Sequence, residues 1–564
     1  MTSAQQCFDR HRPMLETAVA ATRIRGYYSA FPESPSPRVY GEHAAAEGKA
    51  AFDSWLGREV ELVVPGSAGT VATEQSPYGV MLGTRYPRVS TAGVDALLGA
   101  AQAAMPAWRD LGVEGRVGVC LEILARLHAR IFELAHAVMH TSGQAFVMAF
   151  QAGGAHALDR GLESVAYAYD EMTRHPATAA WEKPAGRGEP LRMEKTFTVV
   201  GRGVSLVIGC TTFPTWNSWP GLFASLATGN AVVVKPHPRA VLPLAITVQV
   251  AQQVLAEVGL DPALVTLAAE DPADKLAATL ATRPEVRLVD FTGSSAFGGW
   301  LEQHATQALV FTEKSGVNAV IVDSTDDLTG LCANLAFSFT LYAGQMCTTP
   351  QNVFVPAEGI DTDQGHKSFA EVGAGLAAAI EALVADDAKA VALLGAIVND
   401  DVLARAEAAG SSGQLVLASR PVAHPEFPDA VVRTPALVAL DGADAAHQVL
   451  YARECFGPVS FLIRTGSTDE SVELFRRTVR EHGAMTASVY STSPAVLEAA
   501  REAALDAGVA LSENLTGGVY VNQSAAFSDF HGTGANPAAN SAYTDTAYVA
   551  GRFRTVQSRR HVLA

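Results

Sequence analysis

VRLVDFTGSSAFG, Val286–Gly298, is the stretch from which the architecture of this chain can be read. An apolar, β-branched run ends abruptly in a Gly-Ser turn, and a helix start follows. Runs of the same texture precede it: TFTVV (196–200), VSLVI (204–208), AVVV (231–234) and LVTLA (264–268). Helical stretches separate them, such as AVLPLAITVQVAQQVLAEVGL (240–260). Strands that alternate with helices predict an α/β fold with a parallel sheet covered on both faces. Such sheets bind ligands at the carboxyl ends of their strands. Three places are thereby singled out: Thr211–Pro214 after VSLVIG, Lys235 after AVVV, and Gly293 after VDFT.

The bulk properties agree with a soluble, multi-domain chain. At 564 residues it exceeds what one hydrophobic core serves, so at least two domains are expected. The formal charge of −17 argues against non-specific nucleic-acid binding and leaves no basic footprint for a membrane. No apolar run approaches the length of a spanning helix. The N-terminus, MTSAQQCFDRHRP, carries charges where a signal peptide needs an apolar core, which predicts a cytoplasmic protein. The six cysteines show no metal-ligand or disulfide spacing, so no metal site is expected, and most are expected to be inert core residues.

Residues 1 to about 55 read as helical, interrupted by FPESPSPR (31–38). From Val94 to about Met172 the pattern is helical again. VCLEILARLHARIFELAHAVMH (119–140) places Cys120, Ile123, Leu124, Leu127, Ile131, Leu134 and Val138 on one helical face. A second alternating region, about 317–525, opens with NAVIVD and contains the helical ANLAFSFTLY and the strand QNVFV. The tail, AYVAGRFRTVQSRRH (547–561), alternates and could pair with another region or another subunit.

Four stretches carry candidate chemistry. FTGSSAFG (291–298) offers free backbone N–H groups suited to a phosphate, although Gly and Ser also serve turn geometry alone. In ATGNAVVVKPHPRA (227–240), Lys235 at a strand end can reach a ribose hydroxyl or phosphate, or simply snorkel to solvent. In TEKSGVNAVIVD (312–323), Glu313 precedes an apolar strand; it could serve as base for a water attacking an acyl-enzyme, or be a solvated surface acid. AGQMCTTP (343–350) sets Cys347 among small neighbours, followed at a distance by RECFGPV (453–459).

No single stretch decides the function, but their order does. FTGS, then a glutamate, then GQxC, then E-x-FGP resembles the aldehyde dehydrogenase superfamily, from about residue 60 to the end. FPTWNSWPGLFASLATGNAVVVKP (213–236) is similar to that family's stretch between oxyanion site and cofactor lysine. The resemblance implies a Rossmann-type cofactor domain, an α/β catalytic domain and a β oligomerisation arm. It implies that the Cys347 thiolate attacks an aldehyde, hydride leaves for a nicotinamide, and water activated by Glu313 hydrolyses the thioester. A thiol suits this role because it is partly ionised near neutral pH. The oxyanion would be held by the Cys347 N–H with Thr212 or Asn217. Lys235, Arg239, Gly293, Ser294, Glu454 and Phe456 would hold the cofactor.

The chain departs from the family pattern in four places. The usual Pro-Trp-Asn-Phe-Pro is Cys210-Thr211-Thr212-Phe213-Pro214, which puts Thr212 at the asparagine position. The usual Glu-Leu-Gly-Gly-Lys is Glu313-Lys314-Ser315-Gly316-Val317; alignment from Cys347 makes Glu313 the base, whereas alignment from Asn318 and Asp323 would put Phe311 there. PHPRA (236–240) is similar to the coenzyme-A-acylating branch, and it lacks the acid that often follows the cofactor lysine in NAD-preferring members; with Arg239 nearby this favours NADP, with NAD as the alternative. Finally, SDFHGTGANPAANSAYTDTAYVAGRFRTVQSRR (528–560) replaces the usual Pro-Phe-Gly-Gly loop. That feature, the length and the long N-terminus resemble the phenylacetic acid degradation (PaaN) branch. The substrate implied is a semialdehyde, plausibly a CoA thioester from aromatic ring cleavage.

The expected organisation is a helical extension at 1–55, a cofactor domain at 56–315 with an arm strand near 188–200, a catalytic domain at 316–525, and a C-terminal loop and oligomerisation strand at 526–564. A homodimer or dimer of dimers is expected. Two alternatives stand beside hydrolytic oxidation: acyl transfer to free CoA, and a non-catalytic scaffold of the same fold. His531 is expected to shape the substrate mouth or to be an ordinary loop histidine, and is not expected to be catalytic.

Overall fold

A computed structural model describes residues 3–186 and 188–562. The N-terminal third is helical: α1 (Ala4–Ile24), α2 (Ala44–Asp53), α3 (Val94–Asp110), α4 (Gly112–Ala129), α5 (Ile131–Ser142) and α6 (Ala157–Thr173). Ser3 opens α1 with a reciprocal capping box to Gln6. Gly118 of α4 lies against α1 so closely that a Cβ there would sit 2.4 Å from Phe8 N. The sequence suggests one continuous helix over 119–140. Instead it is divided between α4 and α5 at Arg130, whose φ of −108° is not helical. Both pieces are buried nearly all round, so a single apolar face could not reveal the break.

Two strands, β1 (Thr178–Ala185) and β2 (Gly188–Gly201), form an exposed arm. TFTVV therefore lies in β2, within the arm strand expected near 188–200, and is not one of the parallel strands. Its alternating exposure marks an antiparallel ribbon, which β-branched composition alone does not separate from a buried parallel strand.

The cofactor sheet follows: β3 (Val204–Ile208), β4 (Ala231–Lys235), β5 (Val265–Leu267), β6 (Val286–Thr292) and β7 (Leu309–Glu313), in order β5-β4-β3-β6-β7 and parallel throughout. The order reverses beside β3, which creates a crevice at the carboxyl ends. The helices α7 (Pro214–Ala227) and α8 (Ser295–His304) leave from those ends.

A second sheet contains β8 (Ala319–Val322), β9 (Asn352–Pro356), β10 (Gln414–Leu417), β11 (Ala436–Asp441), β12 (Val459–Thr465), β13 (Ala487–Tyr490) and β14 (Leu511–Glu513). Its order is β10-β11-β12-β9-β8-β13-β14, with only β10 antiparallel to its neighbour. Separate apolar clusters cover it, one including Phe354, Phe461 and Phe475, the other Leu335, Phe339 and Leu376. The tail strand β15 (Phe553–His561) pairs antiparallel with β2, from Phe553 opposite Gly201 to His561 opposite Met193. Just before it, Arg552 donates to both oxygens of Asp290 in β6, and Tyr548 also donates to Asp290. The tail is thus fixed to the cofactor sheet of its own chain.

Candidate active site

Glu313 is the last residue of β7 and is buried. Cys347 lies on the loop between Gly344 and β9, and reaching that position requires an unusual backbone. Tyr342, Ala343 and Gly344 all have positive φ, at 54°, 48° and 67°. At Gly344 a Cβ would stand 2.4 Å from Gly457 O, so a glycine is required there. Asn318 clamps the loop from below. Its Nδ2 donates to Cys347 O at 2.7 Å and Thr349 O at 2.9 Å, while its Oδ1 accepts from Met485 N and Thr486 N.

The thiol of Cys347, the carboxylate of Glu313 and the imidazole of His531 meet with their donor atoms within 4.8 Å of one another. His531 Nε2 is 3.7 Å from Cys347 Sγ and 3.2 Å from Glu313 Oε1. Asn217, in the first turn of α7, donates from Nδ2 to Glu313 Oε2 at 2.9 Å. Burial opposes ionisation of Glu313, but His531, the thiol and Asn217 outweigh it and hold the carboxyl below its ordinary value. Burial, and then the negative Glu313, push the Cys347 thiol well above its ordinary value.

These contacts bear on several sequence readings. Glu313, not Phe311, faces the thiol; Phe311 packs on Tyr548 beneath the Arg552 guanidinium. Asn217 stands at the thiol–carboxylate pair, and Cys210 Sγ donates toward its Oδ1 at 3.6 Å. Thr212 borders the larger cavity, and its carbonyl accepts from Gln144. His531, expected at the substrate mouth or in an ordinary loop, is buried at the centre. It comes from a segment 184 residues beyond Cys347, and no local motif announced it. The buried Arg160 fixes this segment by donating to the carbonyls of Asp529 and Tyr543, while Glu163 accepts from Phe527 N.

Two cavities meet at Cys347. The larger, about 840 Å³, opens at the carboxyl ends of the cofactor sheet. Lys235, Arg239, Gly293, Ser294, Glu454 and Phe456 all line it. Ser294 caps α8 by accepting from Phe297 N. Glu454 Oε1 accepts from Gly316 N at 3.3 Å, and burial raises its carboxyl above the ordinary value. Arg239 is exposed and donates to Val398 O. Lys235 is buried and paired with Glu270 from beyond β5, a carboxylate the sequence reading did not single out. The smaller cavity, about 400 Å³, approaches Cys347 from the other side. Phe213, Trp216, Phe337, Leu341 and Met346 make it largely apolar, and Tyr27, Tyr28 and Ser29 of the N-terminal segment also line it. Sequence gave no role for that segment.

A thiol at the junction of a large cleft and an apolar chamber, with a carboxylate in contact, is equipped to add to a carbonyl carbon and to hydrolyse the thioester that its oxidation leaves. Comparison with known proteins agrees. The model of the aldehyde dehydrogenase family matches residues 65–538, and the chain belongs to that family. It is an enzyme with the aldehyde dehydrogenase fold. A crystal structure of an NAD-dependent aldehyde dehydrogenase from Burkholderia multivorans is 57% identical, with a TM-score of 0.96 over 100% of both chains. A vanillin dehydrogenase from Pseudomonas fluorescens is 28% identical over 429 residues, covering 72% of this chain and 79% of its own. A 1-pyrroline-5-carboxylate dehydrogenase structure, 20% identical with a TM-score of 0.72 over 95% of this chain and 99% of its own, shares the fold. Among the described residues no helix is long and apolar enough to cross a membrane.

Proposed function

We propose that the protein oxidises an aldehyde to a carboxylate through a thioester on Cys347, with Glu313 as base for the hydrolytic water. The observation that carries this reading is the buried Glu313 carboxylate held beside the Cys347 thiol by Asn217 and His531. A carboxylate so placed serves hydrolysis directly, whereas transfer to CoA needs no base for water. The Cys347 N–H and the Asn217 carboxamide hold the oxyanion, Asn217 by the N–H it does not spend on Glu313. Bound nicotinamide dinucleotide supplies the hydride acceptor. The larger cleft would hold it: Lys235, backed by Glu270, would meet a ribose hydroxyl, the backbone at Gly293 and Ser294 would meet phosphate, and Glu454 and Phe456 would hold the nicotinamide ribose and ring.

Absence of an acid after Lys235 and the presence of Arg239 favoured NADP. Glu270 returns a carboxylate to Lys235 from the segment after β5, and we therefore read the cofactor as NAD, with NADP the alternative. The substrate we infer is a semialdehyde from aromatic ring cleavage, as the phenylacetic acid degradation resemblance implies. Its aldehyde end fits the apolar chamber. A CoA portion, if present, stays outside the Tyr27–Ser29 mouth, since the described lining residues of the chamber include no lysine or arginine to hold its phosphates. The proposed domain boundaries remain 1–55, 56–315, 316–525 and 526–564, in a cytoplasmic homodimer or dimer of dimers joined through the exposed arm.

The test is formation of reduced nicotinamide with NAD and NADP in parallel, on simple and CoA-linked aldehydes, with and without free CoA. Cys347→Ala is the control. Activity that needs Cys347 but ignores free CoA is the expected result. Dependence on free CoA would replace hydrolysis by acyl transfer.

A further inference from the structure

We propose that His531 is a catalytic residue: it takes the proton of the Cys347 thiol, and Glu313 is thereby kept unprotonated for water. The inference rests on the aldehyde reading above but is tested independently of it. A single ring nitrogen, Nε2, faces both Sγ of Cys347 at 3.7 Å and Oε1 of Glu313 at 3.2 Å. No other imidazole adjoins the thiol among the described residues.

The surroundings argue that a proton acceptor is needed. The thiol is buried against a carboxylate, and both features resist thiolate formation. Glu313 could accept the proton, but it would then be neutral when water arrives. His531 relieves this conflict. In the Nδ1–H tautomer its Nε2 accepts the thiol proton, and its bond to Glu313 is made once the ring is the imidazolium. The S–H bond breaks, an Nε2–H bond forms, and the imidazolium is paired with the Glu313 carboxylate. The thiolate electron pair then forms the C–S bond with the aldehyde carbon. A bound oxidised nicotinamide would supply the two-electron acceptor for the hydride of that carbon, leaving the carbon as a thioester on Cys347. Water loses its proton to Glu313 and adds to the carbonyl. The C–S bond breaks, and the thiolate returns beside the imidazolium. Glu313 releases its proton to solvent.

The ring is held for this task. Trp216 meets it edge-on at 4.5 Å between centroids, and Tyr543 stacks at 6.1 Å. His531 N and O both pair with Tyr543 at 2.9 Å. Beyond Tyr543 and Trp216 stands Arg160, which reaches Tyr543 O and lies over Trp216. The titratable and charged groups about the imidazole are thus Cys347, Glu313, Tyr543 and Arg160, and only Glu313 and Cys347 touch Nε2.

The experiment is alkylation of Cys347 by iodoacetamide without cofactor or aldehyde, followed by mass spectrometry of its peptide as pH is varied. A Cys–His pair becomes reactive as the pair loses its first proton, below the pH at which a lone thiol ionises, and then levels off. Wild type should follow that profile. His531→Gln and His531→Asn should lower the neutral-pH rate about tenfold or more and move the midpoint upward, to the ionisation of a lone buried thiol. Glu313→Gln should keep the neutral midpoint, and imidazole should restore part of the rate to His531→Gly. A wild-type rate that climbs without levelling through neutral pH overturns the proposal even if every variant fails to fold. So does a neutral midpoint lost in Glu313→Gln but kept in His531→Gln. Because no aldehyde is present, failure here and failure of the aldehyde reading are separate results.

Discussion

Nδ2 of Asn217 lies 2.9 Å from Oε2 of Glu313, although the two residues are 96 positions apart and belong to different secondary elements. The contact joins the start of α7 to the end of β7 beside Cys347. Under the proposed reading one carboxamide has two tasks, restraining the base and meeting the oxyanion. Asn217→Ala should therefore lower kcat by about 10² or more, the cost of one oxyanion donor. Thr212→Ala should change it only a few-fold. Steady-state kinetics on both variants makes the comparison. A large loss at Thr212 with little at Asn217 would reverse the assignment.

Cofactor choice should follow Glu270. Its carboxylate is paired with Lys235 at the carboxyl ends of β4 and β5, where it would repel a 2′-phosphate. The wild type should prefer NAD, and Glu270→Gln should raise kcat/KM for NADP about tenfold or more. An NADP preference already present in the wild type would assign the decision to Arg239 instead.

The Asp159 carboxyl gives a pH-dependent contribution to stability. Burial pushes it up to about 6, against the hydrogen bonds it accepts from Ser29 Oγ and Ala30 N. A raised carboxyl favours the folded state below its unfolded value near 3.8, and that contribution is lost as pH rises through about 6. The whole shift is worth about 3 kcal/mol at most. Wild type should lose stability relative to Asp159→Asn between pH about 4 and about 7, measured by urea unfolding. Parallel curves for the two proteins would contradict this.

Asp290 and Arg552 are both fully buried, and Arg552 donates to both carboxylate oxygens. Asp290→Ala leaves the guanidinium without its partner in the core. The expected loss is about 3–5 kcal/mol, read as a lower denaturation midpoint. It should also loosen the tail and its pairing with β2, visible as faster amide exchange in β15.

Gly344→Ala tests the loop that presents Cys347. The added methyl would combine a left-handed φ of 67° with an approach of 2.4 Å to Gly457 O. Activity should fall by more than tenfold while the melting temperature moves by only a few degrees, since the strain is local. Wild-type kinetics in this variant would mean that the Cys347 loop tolerates displacement.

The sequence by itself carried the fold class, because apolar strands that end in Gly-Ser or Lys-Pro turns are local signals repeated along the chain. It carried Cys347 and Glu313 for a related reason: each sits in a short, ordered motif. It also carried Lys235, Gly293 and Ser294 to the cleft, since strand ends in a parallel sheet face one side. TFTVV reads both as one of the alternating strands and as part of the arm near 188–200, because composition does not encode which partner a strand finds; pairing puts it in the arm. Only the tertiary structure selected Asn217 over Thr212 as the neighbour of the base, a choice made by the direction of a helix start. Only it brought Glu270 to Lys235 and His531 between Cys347 and Glu313. Those contacts join segments tens to hundreds of residues apart, and a side chain's electrostatic partner across such a distance is fixed by packing, not by sequence spacing.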